Sequence, residues 1–212
     1  MKAVIFDMDG VIFDSERAVY ALWCEMAEKY GFNDIDTPYF KSIGTNKDAT
    51  RKIFLEFYGE DFPYNEYKKE QSENYHKRYD GGRLPLKAGI SELLEYLRAC
   101  GYFTAVASST RSEVVINQIE AAGLSKYFDR IIGGDMVKKS KPEPDIFLKA
   151  AEGFDFEKIY VIEDSFNGIR AAAKAEMFPI MVPDMIEPDD EMREKAAVIL
   201  PDLLAVKKYL ED

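Results

Sequence analysis

Apolar residues fall in two rhythms along this chain. Short unbroken runs at Ala3–Phe6, Phe103–Ala107, Arg130–Gly133, Ile159–Ile162 and Ile180–Val182, with a possible sixth at Ala197–Leu200, read as buried strands. From Ile90 onward, helix-length patterns lie between them, at Ile90–Ala99, Ser112–Ala122, Asp145–Ala151, Phe166–Ala175 and Leu203–Leu210. Such alternation predicts a doubly wound, Rossmann-like α/β fold on a parallel sheet. Between Ser15 and Asp80 the rhythm changes. No convincing strand occurs there, and Glu16–Tyr30, Asp48–Tyr58 and Tyr64–Tyr79 each carry helical periodicity, with Gly31, Gly44, Gly59 and Pro63 as punctuation. The stretch closes on Asp80-Gly81-Gly82-Arg83-Leu84-Pro85, a segment suited to a hinge. Residues 15–80 are therefore predicted to form an all-helical cap inserted into a core of residues 1–14 and 81–212.

Composition narrows the function. The 212 residues are 47% hydrophobic, enough for a real core, and carry a formal charge of −11. That balance argues against a nucleic-acid or anionic-membrane partner, each of which needs a basic face. It leaves room for a small anionic substrate held by local cations. No apolar run reaches the length of about 18 residues that marks a membrane helix, and Met1-Lys2-Ala3-Val4 runs straight into the first strand, so a cytoplasmic location is expected. Cys24 and Cys100 read as reduced core residues, and the sole histidine, His76, as a solvated helix residue.

The first strand ends in Asp7-Met8-Asp9-Gly10. In extended backbone, residues i and i+2 project to one side, so both carboxylates face the spot beyond the strand end where open α/β sheets bind ligands. Two like charges there suggest a metal, an acid–base pair or both. An Asp-rich turn fits Asp7 and Asp9 equally when they are taken alone. Three further strand ends supply polar groups. Ser108, Ser109 and Thr110 precede a helix, where they form an anion site or a plain N-cap. Lys141 stands before Pro142-Glu143-Pro144, a stiff loop able to aim one ammonium. Glu163-Asp164-Ser165 brings a second acidic pair, with Asp164 or Ser165 alternatively a helix cap. Together Asp7, Asp9 and Asp164 offer the hard oxygen ligands that Mg²⁺ prefers.

This set resembles the haloacid dehalogenase superfamily of phosphatases and phosphomutases. The resemblance rests on Phe6-Asp7-Met8-Asp9-Gly10-Val11-Ile12-Phe13-Asp14-Ser15-Glu16, on Ser108, on Lys141 and on Glu163-Asp164-Ser165, in the family's order. A helical cap between the first two motifs, and Lys141-Pro142-Glu143-Pro144-Asp145-Ile146-Phe147, are similar to the β-phosphoglucomutase-like subgroup. The resemblance implies that Asp7 is a nucleophile forming an aspartyl-phosphate and that Asp9 is the general acid and base. It implies Mg²⁺ held by Asp7, the Asp9 carbonyl and Asp164, with Glu163 acting through a water, and phosphate bound by Ser108, Ser109 and Lys141.

By ungapped placement, the cap positions that serve a β-phosphoglucomutase carry Lys47, Val19 and Gln71 here. Lys47 lacks the bidentate fork of an arginine and Val19 cannot donate a hydrogen bond. A phosphatase is therefore favoured over a mutase, with Thr45, Asn46 and Lys47 as candidate substrate contacts; a helix N-terminus capped by Asn46 explains the same three residues. The expected substrate is a small phosphorylated metabolite such as a sugar phosphate, and the expected state a monomer. A phospho-accepting receiver domain uses similar groups, but it is compact and uncapped, and the second acidic pair here comes late in the chain.

Overall fold

The computed structural model describes residues 1–45 and 47–211; Asn46, one of the candidate substrate contacts, lies outside the described residues. Six strands, β1 (Lys2–Phe6), β2 (Phe103–Ser108), β3 (Arg130–Gly133), β4 (Lys158–Glu163), β5 (Phe178–Met181) and β6 (Val198–Ile199), form one sheet in the order β3-β2-β1-β4-β5-β6. Every pairing is parallel. The chain runs outward from β1 to β3, then crosses back to β4 and runs outward the other way. The order reverses at the β1/β4 neighbourhood, where α/β sheets open a ligand crevice at the carboxyl ends.

Strand alternation sorts the two faces. Val4, Phe6, Val106, Ile162 and Ile180 turn to one side, under α5 (Ile90–Ala99), α6 (Ser112–Ala121) and α10 (Leu203–Glu211). Ala3, Ile5, Ala105, Ala107 and Val161 turn to the other, under α7 (Asp145–Ala151) and α8 (Phe166–Lys174). Because both faces are covered, the strands are largely apolar on both faces rather than alternating. This is the doubly wound α/β fold the sequence predicts.

Four helices intervene between β1 and α5: α1 (Ser15–Tyr30), α2 (Asp36–Ser42), α3 (Lys47–Tyr58) and α4 (Tyr64–Tyr79). They bury their own cluster of Trp23, Ile35, Tyr39, Phe54, Leu55 and Tyr64, apart from the sheet. An all-helical cap is thus inserted in the α/β core. Two helices have no counterpart in the periodicity. α2 has seven residues, too few for a 3.6-residue period to declare itself, and begins beside Asp34, whose carboxylate accepts from the Thr37 hydroxyl at 2.9 Å. The other, α9 (Asp190–Lys195), buries only Met192 and is held by its cap, with Asp189 accepting from the Met192 amide at 2.8 Å. Both cysteines are free, but Cys100 is exposed rather than a core residue, because α5 ends at Ala99 and leaves it in the turn. His76 is exposed as expected. Among the described residues no helix is long and apolar enough to cross a membrane.

Candidate active site

Register sets the site. Phe6 pairs with Val106 on one side and Ile162 on the other, so Asp7 emerges level with Ala107 and Glu163. The Asp7 amide still donates to the Ile162 carbonyl at 3.0 Å, after which the chain leaves the sheet. Gly10 makes that turn possible. It sits at φ +78°, and a Cβ there would lie 2.1 Å from Asp164 Oδ2, so only glycine lets the two acidic strand ends approach.

Lys141 ties three strand ends together. Its ammonium donates to Asp7 Oδ1, to Glu163 Oε1 at 2.7 Å and to the Ala107 carbonyl at 3.1 Å. That uses all three of its N–H groups. Glu163 is fully buried, and its other oxygen accepts from the Ser165 amide and hydroxyl, each at 2.9 Å. Ser165 in turn caps α8, accepting from the Gly168 amide at 3.0 Å. Thr110 donates to Asp9 Oδ2 at 3.2 Å, while its own amide donates to Ser108 Oγ at 3.1 Å. Ser108 is therefore a buried brace for the turn, and Ser109 is the exposed residue that faces the cavity.

Charge is out of balance here. Four carboxylates, Asp7, Asp9, Glu163 and Asp164, share this site with one buried ammonium, Lys141, which pairs with Asp7 and Glu163. Burial raises the Asp7 carboxyl to about 8 against the opposing charge of Lys141, and Glu163 and Asp9 push the same way. Burial likewise raises Asp9, restrained by hydrogen bonding from Ser15 and Thr110. Of those two, Thr110 is the donor with sound geometry, since the Ser15 hydroxyl is buried without a formed partner among the described residues. Burial, then Glu163 and Asp7, raise Asp164 well above the ordinary range. For Lys141 burial works to lower the pKa, but Asp7 and Glu163 outweigh it and the group is held above its usual value. Among the described residues no three His, Cys, Asp or Glu side chains form a ready ligand cluster. The surplus of buried negative charge and the close approach of Asp164 to the Gly10 turn nonetheless fit a hard divalent cation held by few carboxylates and a backbone carbonyl.

A cavity of about 660 Å³ opens above these groups, between sheet and cap. Asp7, Asp9, Ser109, Lys141 and Asp164 form its floor; Lys41, Gly44 and Thr45 face it from the cap. Of the candidate cap contacts, Thr45 lines the cavity with its hydroxyl bonded to the Ser42 carbonyl at 2.7 Å. Lys47 is exposed at the start of α3 and is absent from the wall. Three charged wall residues, Glu16, Lys41 and Arg170, escaped the sequence reading as site residues. Glu16 receives the Tyr39 hydroxyl at 3.3 Å, and burial and the charge of Asp9 raise its carboxyl. Lys41 sits on the seven-residue α2 that periodicity misses, and Arg170, on α8, pairs with Glu191 at 2.8 Å. Glu16 carried a signal, being in the same acidic stretch as Asp14; Lys41 carried none.

Residues 4–182 match the haloacid dehalogenase-like hydrolase family, and the chain belongs to it. A phosphorylated carbohydrates phosphatase from Thermotoga maritima is 33% identical over 177 residues, covering 82% of each chain. The β-phosphoglucomutase of Bacillus subtilis is 31% identical over 196 residues, covering 86% of this chain and 83% of its own. Among solved structures, a putative β-phosphoglucomutase from Thermotoga maritima superposes with a TM-score of 0.80 at 28% identity, over 100% of this chain and 99% of that one.

Proposed function

We propose that the protein is a Mg²⁺-dependent phosphatase acting on a sugar phosphate or similar small phosphometabolite through an aspartyl-phosphate on Asp7. The observation that carries this reading is the pairing of Asp7 and Asp9 at the end of the central strand. There they face a capped cavity with Lys141, Ser109 and Asp164 around it. A carboxylate oxygen of Asp7 attacks phosphorus, and the bond from phosphorus to the leaving oxygen breaks. Asp9 gives that oxygen its proton. Burial raises its pKa, which is the direction a proton donor needs. Water then attacks the acyl phosphate, Asp9 takes the water's proton, and inorganic phosphate leaves with the Asp7 carboxylate restored. Lys141 and Ser109 steady the transferred group, Ser108 adds its hydroxyl proton while its oxygen braces the Thr110 amide, and Lys141 also orients Asp7. Asp7, the Asp9 carbonyl and Asp164 would hold Mg²⁺, with Glu163 acting through a water. The ion supplies neutralisation of the phosphoryl charge. Residues 15–80 act as the cap over a core of residues 1–14 and 81–212, in a monomeric, cytoplasmic enzyme.

A mutase is the second reading, favoured by one contact. Gln71, at the position where a mutase cap carries lysine, is buried and accepts from the Lys68 ammonium at 2.7 Å, so a cation reaches that place from one turn away. Burial lowers the Lys68 pKa, and the charge of Glu16 works against that shift.

A screen of metabolite phosphates with Mg²⁺ tests both, with β-glucose 1-phosphate plus glucose 1,6-bisphosphate included and glucose 6-phosphate followed. Phosphate release supports hydrolysis. Rapid isomerisation without release overturns it in favour of the mutase. Trapping with labelled substrate should place the adduct on Asp7, and Asp9→Asn should allow slow phosphorylation at most. An adduct elsewhere would remove the basis of the mechanism.

A further inference from the structure

The loop after β5 carries an ion cluster that the reaction does not use. The Asp184 side chain is 1% exposed. Its Oδ1 accepts from the Lys87 ammonium at 2.6 Å and lies 3.3 Å from Arg17 Nε, while the Asp184 carbonyl accepts from Arg17 Nη2 at 3.3 Å. Asp14 completes the group, with Oδ1 3.5 Å from Arg17 Nε and 3.7 Å from Lys87 Nζ. The other Asp184 oxygen is buried with no hydrogen-bond partner among the described residues.

The placement of these residues is what gives the cluster meaning. Asp14 and Lys87 stand on the two crossings between core and cap, and the crossings pair with each other. The Asp14 amide donates to the Pro85 carbonyl and the Lys87 amide to the Ile12 carbonyl, both at 2.9 Å. Arg17 is in the first turn of α1, already part of the cap. Asp184 belongs to the core, and its neighbour Met185 packs into the cap cluster of Trp23, Phe54 and Tyr64. One core loop therefore grips the cap by an ion pair and by an apolar contact, beside the hinge. Met185 and Ile186 also line the cavity, so the grip fixes a cavity wall. A cap that swings away must separate Arg17 from Asp184 and draw Met185 out of its cluster.

We propose that Asp184 and Met185 clasp the cap in its closed position, which makes Asp184 a positioning residue for the reaction at Asp7. The proposal rests on the capped-phosphatase reading given above. Amide hydrogen exchange on the full chain tests the clasp without substrate. In Arg17→Met and in Met185→Ala, exchange at residues 12–16 and 84–88 should rise about five-fold, as expected for losing one half-exposed ion pair or a single apolar contact. The strands of the sheet should stay as protected as before, and Arg17→Lys should recover part of the effect. In the kinetics of Arg17→Met, whose altered side chain is not on the cavity wall, KM for a hydrolysed sugar phosphate should rise by a similar factor of about five, with kcat changing by less than about two-fold. KM for para-nitrophenyl phosphate, which offers the cap little to hold, should not move. Crossings that exchange as in wild type in both variants overturn the clasp. So do loosened crossings with KM unchanged for every ester. A wild-type protein that hydrolyses no phosphate ester counts against the phosphatase reading alone, and the exchange measurement then still decides the clasp.

Discussion

Replacing Asp7 by asparagine should make the metal-free protein more stable while abolishing turnover. Asp7 is 8% exposed, and its carboxyl is raised from the ordinary 3.8 to about 8. A raised carboxyl binds its proton more tightly folded than unfolded. Its favourable contribution is complete below the unfolded value and is lost as pH climbs from there towards the folded one. At pH 7 the span between 3.8 and 7 is about three pH units, which at 1.36 kcal/mol each makes the penalty of ionisation about 4 kcal/mol at most. Asparagine has nearly the same shape and cannot ionise, so it escapes this loss, although it forgoes the charge-assisted contact with Lys141. We expect urea unfolding in EDTA to show Asp7→Asn more stable by about 2–4 kcal/mol at pH 7, with the gap closing near pH 4. Added Mg²⁺ should stabilise the wild type more than the variant, since the ion would relieve the same repulsion. An Asp7→Asn protein no more stable than wild type at pH 7 in EDTA would refute the reasoning. A gap that persists at pH 4 would do the same, because it could not come from ionisation.

Lys141→Met leaves the buried Asp7 and Glu163 carboxylates without their shared cation, and should cost about 3–5 kcal/mol in urea unfolding as well as activity; a fully stable variant would show that the pair is not what holds the strand ends together. Gly168→Ala places a Cβ 1.8 Å from the Glu163 carboxyl carbon, so α8 or Glu163 must shift; a loss of about 1–3 kcal/mol by thermal unfolding, with a fall in kcat, is expected. Thr110→Val removes a hydrogen bond that lowers the Asp9 pKa, so the pH profile of kcat governed by Asp9 should move to higher pH, and an unmoved profile would detach Thr110 from Asp9.

Much of this protein is written in local pattern. Buried strands flanked by helices must be apolar on both faces, so the parallel sheet was legible from apolar runs alternating with helical patterns. The first strand's end at Asp7 was legible too, because a carboxylate pair cannot lie inside such a strand, but Asp7 and Asp9 became site candidates only beside the other three strand ends. Lys141 and Glu163 could be nominated from their places after strands, 22 residues apart. That they share one hydrogen bond, and that Ser108 braces the turn while Ser109 faces the cavity, depends on the register of β1 against β2 and β4. Short elements stayed hidden. α2 has too few residues to show a period, yet it brings Lys41 to the cavity, and α9 is held by a cap rather than by an apolar face. The cluster of Asp14, Arg17, Lys87 and Asp184 was invisible for a different reason. Its members are up to 170 residues apart in the chain and look singly like ordinary surface charges; only the pairing of the two crossings, and the loop that β5 delivers beside them, buries one carboxylate among two cations. Sequence determines what each strand end carries, because that chemistry is local. Tertiary structure decides which of those groups touch, because contact depends on register and on where the chain turns back.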